Sequence, residues 1–120
     1  MLTPLLHVAL GGAFGSVLRY LSLQAVPPPW GTVGVNVLGS FLIGLLFIPA
    51  GRMGLSPLLL SGVLGGFTTF SAFALDASRL WTAGQGMSAI AYVAGSVVLS
   101  LLAVAAGASV FHLLATRGAS

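Results

Sequence analysis

Long apolar stretches with almost no charged residues constrain this chain more than any other feature. Four segments are each long enough to cross a hydrocarbon layer, which needs about 20 helical residues. They span about residues 3–26, 31–48, 55–81 and 87–115. Proline or glycine punctuates the stretches between them, at residues 27–31, 49–52 and 84–86. Because only 4% of the residues are charged, an ordinary soluble domain is excluded. We expect an all-α membrane protein with four transmembrane helices in one domain over residues 1–120.

The third segment contains an interruption, the sequence GGFTTFSAF at residues 65–73. Two adjacent glycines and two adjacent β-branched threonines are poor choices for a continuous helix. We therefore expect a helix that starts at Ser56 and Pro57, ends at about Leu64, and resumes after a break near residues 65–69, with Thr68 or Thr69 as the cap. A break at membrane depth leaves carbonyls and amides unpaired, so protein or a polar cavity must enclose it.

The four arginines do not favour one side of the membrane. With four spans, Arg52 and Arg117 fall on one side, whereas Arg79 and the end of the first span with Arg19 fall on the other. A chain without a positive-inside bias can insert both ways, and opposite copies can pair about a two-fold axis in the membrane plane. The alternative is that a small charge difference settles the orientation. The scattered arginines form no basic patch, which excludes nucleic acid as a partner.

The first span carries His7, Gly11, Gly15 and Arg19 at four-residue intervals. Small residues at this spacing allow two helices to approach closely. An arginine inside the hydrocarbon layer is costly unless it snorkels to the surface or binds carbonyl groups. We favour a structural anchoring role for Arg19 over direct contact with a substrate.

Polar residues also recur every four residues on the second and fourth spans. The two stripes are Thr32, Asn36, Ser40 and Gly44, and Tyr92, Ser96 and Ser100. An unpaired Asn36 amide in lipid would cost several kcal/mol, so it either serves a site or forms an interhelical hydrogen bond. Phe70 and Phe73 share one helix face beside the break, where they either serve the site or fill space.

Asp76 is the only acidic residue of the chain, and it lies three positions before Arg79. This spacing predicts an ion pair on one face of the helix. With one acid, no cysteine and no cluster of metal-ligating or triad residues, the chain is not expected to be an enzyme.

Three motifs resemble the Fluc or CrcB family of small dual-topology fluoride channels. They are GGAFGSVLRY at residues 11–20, VNVLGSF at 35–41 and GGFTTFSAF at 65–73. The resemblance covers nearly the whole chain, and the third motif is the most specific. Two positions depart from the family pattern: Ala72 stands where threonine or serine is usual, and Asp76 stands where glutamate is common.

The resemblance implies an antiparallel homodimer with two fluoride pathways, spanning the lipid bilayer of the inner (plasma) membrane. Its function would be to export fluoride from the cytoplasm and so relieve fluoride toxicity. One structural sodium ion (Na+) would be held at the dimer centre by the backbone carbonyls of Gly65 and Thr68. The residues implied for the fluoride pathway are Asn36, Phe70, Ser71, Phe73, Tyr92, Ser96 and Ser100.

Two other classes remain as alternatives. A small proton-coupled multidrug-type exporter shares the length, the four spans and the dual topology, but it needs a carboxylate in the first span, which this chain lacks. A non-transporting assembly subunit would need neither Asn36 nor the polar stripes.

Overall fold

The computed structural model describes residues 1–119, which fold into helices that make four long apolar passes. The helices are α1 (Leu2–Ala25), α2 (Trp30–Arg52), α3 (π-helical at Pro57–Leu64, then α-helical at Gly65–Phe67), α4 (Phe70–Thr82) and α5 (Gly86–Gly118). Together α3 and α4 form the third pass, Pro57–Thr82. No strand occurs in the described residues. The prediction of an all-α membrane protein with four spans and a broken third helix is confirmed.

One predicted helix end and one predicted cap are wrong, whereas the third span does begin at Pro57 as predicted. The second helix does not end at residue 48, because Pro49 lies inside α2 and the helix continues to Arg52. A proline near the end of a helix removes only one hydrogen bond, and here the Met53 N–H still donates to the Pro49 carbonyl. The chain turns at Gly54, whose φ of +69° suits glycine. Ser56 does not cap α3, since its backbone is helical and its side chain makes no cap bond.

Close backbone contacts at glycines join the helices in pairs, α1 with α3 and α2 with α5. A Cβ atom at Gly15 would lie 2.0 Å from the Val63 carbonyl oxygen, and one at Gly107 would lie 2.0 Å from the Phe41 carbonyl oxygen. Glycine therefore allows these helices to touch along their backbones, as expected for packing between helices in a membrane. The outward surface is apolar, with exposed side chains such as Leu10 and Leu101.

The break in the third pass is confined to two residues. Thr68 and Thr69 have extended backbones, with ψ angles of 158° and 120°. The two glycines before them remain helical, so the first half-helix runs three residues beyond the predicted end at Leu64. Thr69 caps α4 by accepting a hydrogen bond from the Ala72 N–H at 3.2 Å. The predicted threonine cap is therefore confirmed, and the break itself results from the threonines more than from the glycines.

Candidate functional site: a cavity at the helix break

A cavity of about 410 Å³ lies beside the break and contains no charged side chain in its lining. It brings together α2, both halves of the third pass and α5. Of the nine residues that the resemblance implies for the fluoride pathway or the sodium ion, seven line it: Asn36, Gly65, Thr68, Phe70, Phe73, Ser96 and Ser100. Tyr92 and Ser71 do not line this cavity. Residues far apart in the sequence therefore lie around one cavity. The polar stripes on separate helices could not show from the sequence that they come together.

The N-terminal end of α4 lies at this cavity, since Thr69 and Phe70 are both in its lining. The first N–H groups of a helix lack carbonyl partners within it, and the helix dipole makes this end partly positive. Ser71 is exposed beside the cap, with its hydroxyl 3.2 Å from the Thr69 hydroxyl. This end of the break is therefore suited to an anion.

Aromatic rings extend from the cap into the interior. Phe70 is 78% exposed in the single chain, and its ring centroid lies 5.3 Å from that of Phe73. Phe73 in turn stacks on the Tyr92 ring, with centroids 5.5 Å apart and planes at 23°. The hydrogen-bearing edge of such rings carries the positive part of the quadrupole, which can face an anion without a fixed charge.

Two serines of α5, Ser96 and Ser100, also belong to the cavity lining. Ser96 is 5% exposed, and its hydroxyl oxygen has no hydrogen-bond partner among the described residues. A buried hydroxyl without a partner is costly, so the Ser96 hydroxyl is available to a polar group that enters the cavity. Ser100 lies one turn further along the same helix.

Asn36 contacts the break itself. Its Nδ2 donates to the Thr69 carbonyl oxygen at 2.9 Å, and its Oδ1 accepts from the Thr69 N–H at 2.7 Å. The amide is therefore already paired with backbone, leaving one of its two N–H groups for other partners. Of the two interpretations of Asn36, the structure contains the interhelical hydrogen bonds and also places the residue at the cavity.

Arg19 binds the carbonyl end of the break. Its Nη1 donates to the Gly66 carbonyl at 2.7 Å and to the Thr68 carbonyl at a longer 3.3 Å. These carbonyls belong to the end of α3, where the helix dipole is partly negative. The guanidinium group of α1 thus lies against the break instead of reaching out to the membrane surface.

Asp76 forms a buried cluster that was not expected from the sequence. It is 6% exposed, and its Oδ2 accepts hydrogen bonds from Thr32 Oγ1 at 2.7 Å and Tyr92 Oη at 3.1 Å. Arg79 is exposed, so the predicted ion pair between Asp76 and Arg79 is wrong. Hydroxyl donors on α2 and α5 bind the carboxylate, whereas the Arg79 side chain is exposed.

Comparison with known proteins identifies the family of this chain. The family described as "CrcB-like protein, Camphor Resistance (CrcB)" matches residues 6–108. The chain belongs to this family. A "Fluoride-specific ion channel FluC" of Rhizobium meliloti (strain 1021) is 57% identical over 115 residues, which cover 86% of this chain and 91% of the relative. A protein of the same name from Paracoccus denitrificans (strain Pd 1222) is 52% identical over 113 residues, covering 88% and 91%.

Within this CrcB-like chain, sequence reasoning missed Thr32 as a partner of Asp76. Thr32 is fully buried. A usable signal was present, because Thr32 begins the polar stripe of the second span and Tyr92 begins that of the fourth. The only carboxylate of the CrcB-like chain was the natural acceptor for two such hydroxyls in an apolar surrounding.

Proposed function

We propose that this chain is a fluoride-selective ion channel that exports fluoride from the cytoplasm across the plasma membrane and so relieves fluoride toxicity. The names of its relatives, with about half of the sequence identical, support the substrate and the class. One structural observation carries the proposal: the lining of one uncharged cavity includes both the N-terminal end of α4 and Ser96, whose buried hydroxyl is unpaired. An ion channel of this kind is not an enzyme.

A fluoride ion leaving water needs replacement donors along its path. The amide end of α4, the edges of Phe70 and Phe73 and the hydroxyls of Ser96 and Ser100 supply partial positive charge without a fixed cation that would trap the ion. Asn36 contributes at the break. Ser71 and Tyr92 belong to the same pathway, Ser71 beside the cap of α4 and Tyr92 beneath the ring of Phe73.

The functional unit in this proposal is an antiparallel homodimer with dual topology. The even division of the arginines supports insertion in both orientations. Phe70 supports a second copy, because a pathway residue that is 78% exposed in one chain needs a further wall to enclose an ion.

A structural sodium ion at the dimer centre is the finer part of the proposal, with the carbonyls of Gly65 and Thr68 as its ligands. These residues fit a hard cation, which prefers oxygen ligands. In a continuous helix the Thr69 N–H would donate to the Gly65 carbonyl, but here it is bound to Asn36. The Thr68 carbonyl accepts a hydrogen bond of 3.3 Å from Arg19. A bound ion would neutralise the partly negative end of α3. Arg19 has a structural role, as the permanent positive charge at the same end.

The decisive experiment is fluoride efflux from liposomes that contain the purified protein, followed with a fluoride electrode. We expect rapid efflux of fluoride and little efflux of chloride from matched vesicles. Protein that gives no fluoride efflux would reject the channel and favour an assembly subunit. The exporter alternative has no support, since α1 carries no carboxylate and the relatives are named as channels.

Reporters fused to the C-terminus test the dual topology. One reporter is active only in the cytoplasm and another only outside it, and each should give a signal. Two lysines added after Arg117 should shift the population of chains toward one orientation. A strictly one-sided wild type would reject the antiparallel dimer.

A further inference from the structure

The contact between Asn36 and Thr69 has the form of a pair of residues on neighbouring β-strands. Both Asn36 amide atoms bond to the backbone of the same residue, at 2.7 and 2.9 Å. Thr69 is extended, with φ −151° and ψ 120°, and so resembles a strand residue that exchanges both its N–H and its carbonyl with one partner. A carboxamide matches it because it carries a donor and an acceptor side by side.

This pairing removes the Thr69 N–H from the helix. In an α-helix, the N–H of residue 69 would donate to the carbonyl of residue 65. Here the Thr69 N–H donates to Asn36 Oδ1 instead, so the Gly65 carbonyl loses its helical donor. Gly65 is exposed in the single chain and lines the cavity. Thr68 is extended as well, and the Asn36 side chain holds the Thr69 that follows it extended, with its N–H kept away from the Gly65 carbonyl.

We infer that Asn36 is a positioning residue that holds the third helix open at Gly65. It keeps Thr69 extended, so that the Thr69 hydroxyl caps α4 and fixes where Phe70 begins the helix. It also leaves the Gly65 carbonyl available to an electropositive group. The effect on fluoride transport rests on the proposed function, whereas the effect on the backbone does not.

Solid-state NMR on the full chain in liposomes tests the inference in the wild type. The Thr69 backbone nitrogen, the Asn36 side-chain carboxamide carbon and the Gly65 carbonyl carbon are isotopically labelled, and the two nitrogen–carbon distances are measured. We expect the nitrogen to lie closer to the Asn36 carbon than to the Gly65 carbon. The reverse order would overturn the inference without the need for any variant.

Two substitutions at the same position then separate positioning from simple bulk. Asn36→Leu removes both polar atoms, so we expect the Thr69 nitrogen to approach the Gly65 carbonyl as the helix closes. Asn36→Asp keeps an oxygen for the Thr69 N–H in either protonation state, so we expect the wild-type distances to remain. Ser22→Ala is the control, since that hydroxyl bonds only to the Leu18 carbonyl of its own helix. Unchanged distances in Asn36→Leu would contradict a positioning role.

Fluoride efflux of the same samples distinguishes this inference from the proposed function. We expect Asn36→Leu to reduce efflux by about tenfold or more, because both bonds that hold the break are lost. Loss of efflux with unchanged Thr69 distances would mean that Asn36 acts on the ion alone, which overturns the inference and retains the channel. Wild-type protein with the expected distances but without efflux would reject the channel and retain the role of Asn36.

Discussion

The two ends of the helix break differ in how their unpaired backbone groups are satisfied. At the carbonyl end, Arg19 supplies a full positive charge to Gly66 and Thr68. At the amide end, a neutral hydroxyl from Thr69 caps α4, and the surrounding cavity lining contains no charge. Both ends of the break border the same uncharged cavity, but only the partly negative end has a cation of the protein bound to its carbonyls. This asymmetry is what an anion pathway requires, because a fixed cation at the amide end would retain the ion.

Removal of the arginine should have the largest effect on stability. We expect Arg19→Leu to lower the free energy of unfolding by about 1.5–3 kcal/mol, since charge-assisted bonds to two carbonyls are lost. Chemical unfolding of the purified protein in detergent measures this change. Arg79→Leu is the matched control, because it removes the same charge and Arg79 is exposed. Equal effects of the two substitutions would mean that Arg19 is no special partner of the break.

Stability should depend nearly as strongly on the close approach of α1 to α3, which brings Arg19 to the break. We expect Gly15→Ala to cost about 1–3 kcal/mol of unfolding free energy, because its Cβ would lie 2.0 Å from the Val63 carbonyl oxygen. Gly12→Ala meets no heavy atom within 4 Å and should be neutral or stabilising by up to about 1 kcal/mol. Similar unfolding free energies for the two variants would argue against this helix contact.

The aromatic pair at the amide end should matter more for transport than for folding. We expect Phe70→Ile and Phe73→Ile each to reduce fluoride efflux by about tenfold or more while the protein keeps the wild-type elution volume in size-exclusion chromatography. Phe73→Ile should also cost about 1 kcal/mol of stability, because it loses the stack on Tyr92.

Phe47→Ile is the control for this pair, since Phe47 is exposed on α2 and outside the cavity lining. Wild-type efflux in both aromatic variants would reject their assignment to the pathway. A changed elution volume or aggregation would instead assign them to packing.

Substitution of Ser96 should give the smallest change in stability, and any change should stabilise the protein. We expect Ser96→Ala to leave the unfolding free energy unchanged or to raise it by about 1 kcal/mol, because an unpaired buried hydroxyl is removed. Efflux should nevertheless fall. Ser109→Ala should change neither quantity, since that hydroxyl bonds within its own helix. A clear loss of stability in Ser96→Ala would point to a hydrogen bond within the protein instead.

Local properties of the sequence determined the spans and the position of the break. The length of an apolar run and the helix propensity of two adjacent threonines depend only on neighbouring residues, so both features could be predicted. Pro49 was mispredicted because a proline in the last turn of a helix removes only one hydrogen bond, so α2 continues to Arg52.

Only the tertiary structure decided which groups pair at the site. Asn36 bonds to Thr69 across 33 positions, Thr32 to Asp76 across 44 and Arg19 to Gly66 across 47. A sequence indicates that a polar group in hydrocarbon needs a partner, because an unpaired one costs several kcal/mol. It does not indicate which of several partners is within 3 Å, since that depends on how four helices cross.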